Sequence, residues 1–192
     1  LIAYGTQAQK RRYFPWVLEG EKPAIAISEP AAGSAATDMT TRADETATGL
    51  RLTGHKCWIT GAGTSRLYLV YARFGGRAGA DGIGGIFVER DTPGFRIGRR
   101  EFMMGLRGIP EGELHFEDCD DVPRETCWSG PGDGFKRLMN AYNGQRLGAA
   151  TVALGIAQGA YEHALAYAAA RRQFGRAIGE FQGIRWKLAT WP

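Results

Sequence analysis

Cysteine is too scarce here to hold a fold together. Cys57, Cys119 and Cys127 are odd in number and show no Cys-x-x-Cys spacing. This argues against a disulfide framework and a patterned zinc site, and it points to a reducing compartment, with the cytoplasm as the expected location. Histidine is equally sparse, three residues with no His-x-x-x-His pair. His55 and Cys57 would share one strand face, which makes a metal pair conceivable, but no patterned ligand set supports it and no metal is expected. No apolar run is long enough to span a bilayer, and no signal peptide is visible. Long basic runs are missing too: the net charge is +4, and Lys10-Arg11-Arg12 and Arg99-Arg100 are short, so nucleic acid is not an expected partner. An initiator Met is absent, and the chain both opens and stops in mid-pattern, at Leu1-Ile2-Ala3-Tyr4 and Trp191-Pro192. Both ends read as cut, and a fragment is expected.

The 192 residues, 44% hydrophobic and 23% charged, suffice for one large or two small domains with a real core. Residues 5–18 predict a helix interrupted at Pro15. From Ala24 onward short apolar or β-branched runs (24–28, 39–43, 50–53, 57–60, 67–72, 85–89, 95–97 and 113–117) alternate with Gly, Asp, Thr and Pro turns, the cadence of an antiparallel sandwich or barrel. Residues 75–82 read as a hairpin loop. Asp133 is a candidate N-cap, and Leu138, Met139, Tyr142, Leu147, Val152, Ile156, Ala160, Leu165 and Tyr167 recur at helical spacing without an intervening proline. Arg171–Gly175 would end that helix and Glu180 to about Ala189 start another. The fold expected is α+β: the end of a helical domain (1–22), a central β domain (23–130) and the opening of a helical bundle (131–192). Two helices cannot cover each other's apolar faces, so the bundle is incomplete.

Two segments carry the chemistry. Ser28-Glu29-Pro30-Ala31-Ala32-Gly33-Ser34 and Gly54-His55-Lys56-Cys57-Trp58-Ile59-Thr60 each set small hydroxyls and glycines beside an apolar strand, and the second adds an indole. Together they describe a pocket for a flat, hydrogen-bonding ring with a phosphate tail. Trp58 and Thr60 alternate with Ile59, so both should project from one strand face. The bland alternatives are a strand-ending turn and a core Trp beside a surface Thr. A third segment, Arg171-Arg172-Gln173-Phe174-Gly175 with Gln182 downstream, places Arg171 and Phe174 one helical turn apart. A basic helix end favoured by the macrodipole would account for the arginines but not for the Phe-Gly that follows.

At these residues the chain resembles the flavin-dependent acyl-CoA dehydrogenase family. The resemblance covers nearly the whole chain: the end of the N-terminal helical domain, the central β domain and the start of the C-terminal four-helix domain. It implies FAD as cofactor and α,β-dehydrogenation of an acyl-CoA thioester, with a hydride passed to flavin N5. It implies that Ile27 and Ser28 meet the pyrimidine edge of the ring, Ser34 the pyrophosphate or CoA tail, Trp58 the ring face and Thr60 N5. Arg171, Phe174 and Gln182 would reach the flavin of a neighbouring subunit, making a homodimer or homotetramer. Asn143 and Arg146 would lie along the CoA pantetheine, with Asn143 where an Asp is common. The expected electron acceptor is an electron-transferring flavoprotein.

The family's catalytic base is a glutamate at one of two places. One immediately precedes the arginine matching Arg146, and Gln145 stands there; an amide cannot serve as a general base. The other lies beyond Pro192, so no catalytic base is named within the chain, and Gln145 is expected beside the acyl group only. Three further readings stay open: an enzyme resembling the 3-sulfinopropionyl-CoA desulfinase branch, which lacks the base; a non-catalytic scaffold of the same fold; and a generic ligand-binding module.

Overall fold

The computed structural model describes residues 1–190, and it is an α+β structure. Its contacts divide into two compact units, Leu1–Leu138 and Met139 onward. The first unit opens with helix α1 (Gln7–Leu18), capped by Thr6, whose hydroxyl accepts from the Gln9 N–H while the Gln9 side chain accepts from the Thr6 N–H. Pro15 does not interrupt α1; it lies inside it. It falls in the last turn, and the helix is anchored before reaching it: Tyr13 is fully buried, and the Gln9 amide donates to the carbonyls of Glu125 and Cys127 at 2.8 and 2.9 Å.

The sheet of this unit is built from β1 (Ala24–Ala26), β2 (Arg42–Glu45), β3 (Leu50–Thr60), β4 (Leu67–Phe74), β5 (Ile83–Glu89), β6 (Phe95–Arg100), β7 (Glu111–Val122) and β8 (Cys127–Ser129). Its order is β6-β7-β3-β2-β4-β5-β8, with β1 added to β4, and it does not close. Most pairings are antiparallel, as the turn cadence implies. Two are parallel: β1 and β2 share one edge of β4, at Tyr68–Val70 and at Arg73–Phe74. Residues 50–53 and 57–60, which read as separate runs, form one strand through Gly54. Glycine is required there, because a Cβ would stand 2.7 Å from the Thr41 Cα and φ is +155°.

β3 and β7 are the long central pair, and bulges bend it. Between Leu50 and Gly54 the β7 partners run from Val122 to Phe116, two residues more than β3 supplies. Asp118 and Asp121 absorb the excess at φ +47° and +58°. Leu52, Ile59, Val70, Ile86, Leu114 and Phe116 point into the core.

Most of α2 (Gly134–Ala170), which begins directly after Asp133, belongs to the second unit. Leu147, Val152, Leu154, Ile156, Leu165 and Tyr167 along it are exposed. After α2 comes a hairpin of β9 (Arg172–Gln173) and β10 (Arg176–Ala177), then a 3-10 turn (Ile178–Glu180) and α3 (Gln182–Ala189). Among the described residues no helix is long and apolar enough to cross a membrane.

Candidate functional site

Ser28–Ser34 and Gly54–Thr60 are joined by a buried ion pair that neither string shows alone. Glu29 and Ala32 exchange backbone hydrogen bonds at 3.1 Å around Pro30, which suits the second position of such a tight turn. The Glu29 carboxylate turns inward, accepting from the Thr40 N–H (2.7 Å), the Thr40 hydroxyl (2.8 Å), the Thr41 N–H (2.9 Å) and Lys56 Nζ (2.8 Å). Lys56 Nζ also donates to the Ile27 carbonyl at 2.8 Å, and the Cys57 N–H to the Ser28 carbonyl at 3.0 Å. The side chains of Lys56 and Glu29 are 0% and 3% exposed. Burial works against both charges. For Glu29 it is outweighed by the Lys56 charge and the donors around it, which hold the carboxyl at about 2. For Lys56 burial prevails over Glu29 and brings the ammonium down to about 8, still protonated at neutral pH.

This anchoring explains the local shape of β3. From Lys56 to Ile59 the strand advances three residues while its β7 partners, Leu114 to Gly112, advance two. Trp58 sits in that bulge at φ +55°. A regular strand would put Lys56 and Ile59 on opposite faces; the extra residue lets both point inward. Trp58 and Thr60 project away from buried Ile59, and the indole stays 57% exposed. The Thr60 hydroxyl donates to Glu111 Oε1 at 2.5 Å. Ile27 and Ser28 are half-buried and Ser34 is exposed. A Cβ on Gly33 would meet nothing within 4 Å, so the backbone there is open to a ligand.

In the second unit the expected helical spacing of Arg171 and Phe174 is not found. Phe174 and Gly175 have φ of +52° and +80°, the paired left-handed conformation of a type I′ turn. They connect β9 to β10, where Gln173 faces Arg176 and Arg172 faces Ala177. The Phe-Gly dipeptide makes a hairpin where a helix end was expected. Phe174 is presented at its tip, 92% exposed, with its ring edge-on to Phe181 at 6.2 Å. Arg171, just past α2, accepts through its carbonyl from the Ile178 N–H at 2.8 Å. Gln182 opens α3 and is exposed. On α2, Arg146 Nη1 donates to Asn143 Oδ1 at 2.7 Å, and its guanidinium lies 5.4 Å from the Tyr142 ring. Asn143 and Arg146 thus share a face, while Gln145, also exposed, projects from another.

Residues 24–119 match the family profile described as acyl-CoA dehydrogenase, middle domain, and residues 132–192 that described as acyl-CoA dehydrogenase, C-terminal domain. The chain belongs to the acyl-CoA dehydrogenase family. Over 98% of its length this family member is 50% identical to a 3-sulfinopropanoyl-CoA desulfinase of Cupriavidus necator, covering 49% of that protein. It is 41% identical to an acryloyl-CoA reductase (NADH) of Anaerotignum propionicum, covering 98% of this chain and 48% of the other. Its fold superposes on an acyl-CoA dehydrogenase from Geobacillus kaustophilus with a TM-score of 0.93 at 33% identity, over 98% of this chain and 50% of that one. The chain spans about half the length of the curated relatives it matches.

Within this dehydrogenase-family chain, sequence reading missed Glu29 and Lys56, the charged members of the very strings that carry the resemblance. A signal was present: each is an ionisable residue amid small or apolar neighbours, the setting in which a buried charge needs a partner.

Proposed function

We propose that the protein containing this chain binds FAD on its β unit and catalyses α,β-dehydrogenation of an acyl-CoA thioester. The observation that carries this reading is the Glu29–Lys56 anchor, which fixes the turn at Ser28 and the bulge at Trp58 against each other. A large indole more than half exposed beside an outward hydroxyl and an open glycine backbone fits a flat ring with a phosphate tail. FAD bound there would supply the two-electron acceptor at N5.

In this reading Trp58 covers the ring and excludes water, and Ser28 and Ile27 meet its polar edge. Thr60, whose hydroxyl donates to Glu111 in this structure, would turn that proton to N5, an acceptor in the oxidised ring. The open backbone at Gly33 and the Ser34 hydroxyl meet the pyrophosphate or CoA tail. Arg146, oriented by Asn143, steadies the pantetheine. Arg171, Phe174 and Gln182 serve a neighbouring copy's cofactor, which requires a symmetric dimer or tetramer. Gln145 can orient an acyl group but cannot take its α-proton. The base is then a glutamate elsewhere in the protein, and an electron-transferring flavoprotein reoxidises the flavin.

A second reading is desulfination of 3-sulfinopropanoyl-CoA. Identity to the desulfinase, 50% against 41% for the reductase, favours it specifically. It is also compatible with an amide at position 145. Anaerobic titration of the flavin-loaded protein separates the two. Bleaching by butyryl- to octanoyl-CoA supports dehydrogenation. Sulfite released from 3-sulfinopropanoyl-CoA, with no bleaching by saturated acyl-CoAs, overturns it in favour of the second. A protein purified without flavin that cannot be reloaded overturns both.

A further inference from the structure

The sheet face carrying His55 on β3 and Glu113 and His115 on β7 has a cluster that the flavin reading leaves unused. His55 and His115 are direct partners in the antiparallel ladder. Their imidazoles stack with centroids 4.3 Å apart and planes inclined by 15°. Glu113, two residues before His115, projects to the same side. Its Oε2 lies 3.4 Å from His115 Nε2 and 3.8 Å from His55 Nε2. All three potential ligand atoms fall within 4.8 Å of one another. His55 Nε2 is closed to solvent and makes no hydrogen bond. The other carboxylate oxygen, Oε1, is 3.6 Å from Arg99, which binds Glu101 more closely at 2.9 Å, so Oε2 is left to the two rings. The neighbouring β6 backbone makes room with a glycine: a Cβ on Gly98 would stand 2.5 Å from His115 Nε2 and 2.8 Å from the Glu113 Cβ.

We propose that His55, Glu113 and His115 form a binding site for a transition-metal dication of the zinc class. Two imidazoles and one carboxylate are the donors such an ion prefers, and three protein ligands leave a fourth position for water. Magnesium and calcium, which favour all-oxygen shells, fit poorly. A tetrahedral ion with bonds of about 2.1 Å holds its ligands about 3.4 Å apart. The carboxylate-to-imidazole separations of 3.4 and 3.8 Å come within a few tenths of an ångström of that figure. The ion would tie β3 to β7 just before the bulge at Trp58, where the ladder loses register. The pattern is invisible along the chain because its halves are sixty residues apart and meet only through strand register.

The test uses the purified full-length protein, stripped with a chelator and titrated with Zn²⁺ against a chromophoric competitor. The H55Q/H115Q and E113Q variants are titrated alongside. The wild type should bind one zinc per chain more than the double variant, and E113Q should bind it at least tenfold more weakly. Zinc should raise the melting temperature of the wild type but not of the double variant, and Co²⁺ should give four-coordinate visible bands in the wild type alone. Gly98→Ala, which crowds His115 without removing a ligand, should weaken zinc binding at least tenfold, and it keeps the test open if the histidine variant fails to fold. Equal zinc stoichiometry and affinity in wild type and H55Q/H115Q, or in wild type and Gly98→Ala, would overturn the proposal.

Discussion

Replacing Lys56 by Met should unfasten the joint between the Ser28 turn and the Trp58 bulge. Methionine fills a similar volume but leaves the Glu29 carboxylate, 3% exposed, with only Thr40 and Thr41 as donors. The anchored carboxyl sits at about 2 against an ordinary 4.5. At 1.36 kcal/mol per pKa unit this is about 3 kcal/mol of coupling to its surroundings. Breaking a buried pair by removing one partner costs about 3–5 kcal/mol. The pH dependence has a definite sign. A carboxyl whose folded pKa is depressed contributes stability that is fully present above 4.5 and is lost as pH falls from there through about 2. With Met at position 56 that carboxyl titrates higher, so the variant's deficit should be largest at neutral pH and shrink as pH falls and the lone carboxylate takes up a proton. Urea unfolding of the purified protein at pH 7 gives the total cost. Native-state hydrogen exchange gives the local one, and the Cys57 amide, which donates to Ser28, should exchange about 100-fold faster. The double variant Lys56→Met/Glu29→Gln should recover most of the loss, because no buried charge is then left alone. A loss below about 1 kcal/mol at pH 7, or one that does not shrink as pH falls, would refute the reasoning.

Gly54→Ala should cost more than about 2 kcal/mol in a thermal or urea melt, since its Cβ meets the Thr41 backbone and the φ of +155° is strained for alanine. Trp58→Ala should leave the melting temperature of the flavin-free protein nearly unchanged, the indole being 57% exposed, while weakening FAD retention by about 1–3 kcal/mol in an equilibrium flavin titration. Gln145→Ala should slow turnover by far less than the roughly 10²–10⁴-fold that a general base contributes; a loss of that full size would make position 145 part of the proton-transfer machinery.

The β architecture was legible because strand runs and turn residues alternate locally, and α2 because its apolar period persists over many turns. What escaped depends on information that is not local. Leu50–Thr53 and Cys57–Thr60 read as two runs because Gly54 looks like a turn; only the Thr41 backbone passing above it explains a glycine inside a strand. Pro15 reads as a helix breaker until Tyr13 and Gln9 are seen anchoring α1. Phe174-Gly175 reads along the chain as part of a helix end; its hairpin depends on Arg172 and Ala177 pairing across it. At the site, the strings around Ser28 and Trp58 were visible as recognition elements. Their mutual placement was not, since Glu29 and Lys56 lie 27 residues apart.

The extra residue at Trp58 also makes the core edge of β3 independent of the feature it creates. Upstream of the bulge the even-numbered positions Leu50, Leu52 and Lys56 face inward; downstream the inward position is odd, Ile59. Deleting Trp58 would heal the ladder and keep the faces: Ile59, then two residues after Lys56, would still point into the core and Thr60 to solvent. What the deletion would remove is the aromatic shelf beside Thr60. The core edge and the proposed flavin platform are therefore separable at one position: the extra residue serves the platform, and the core would close without it.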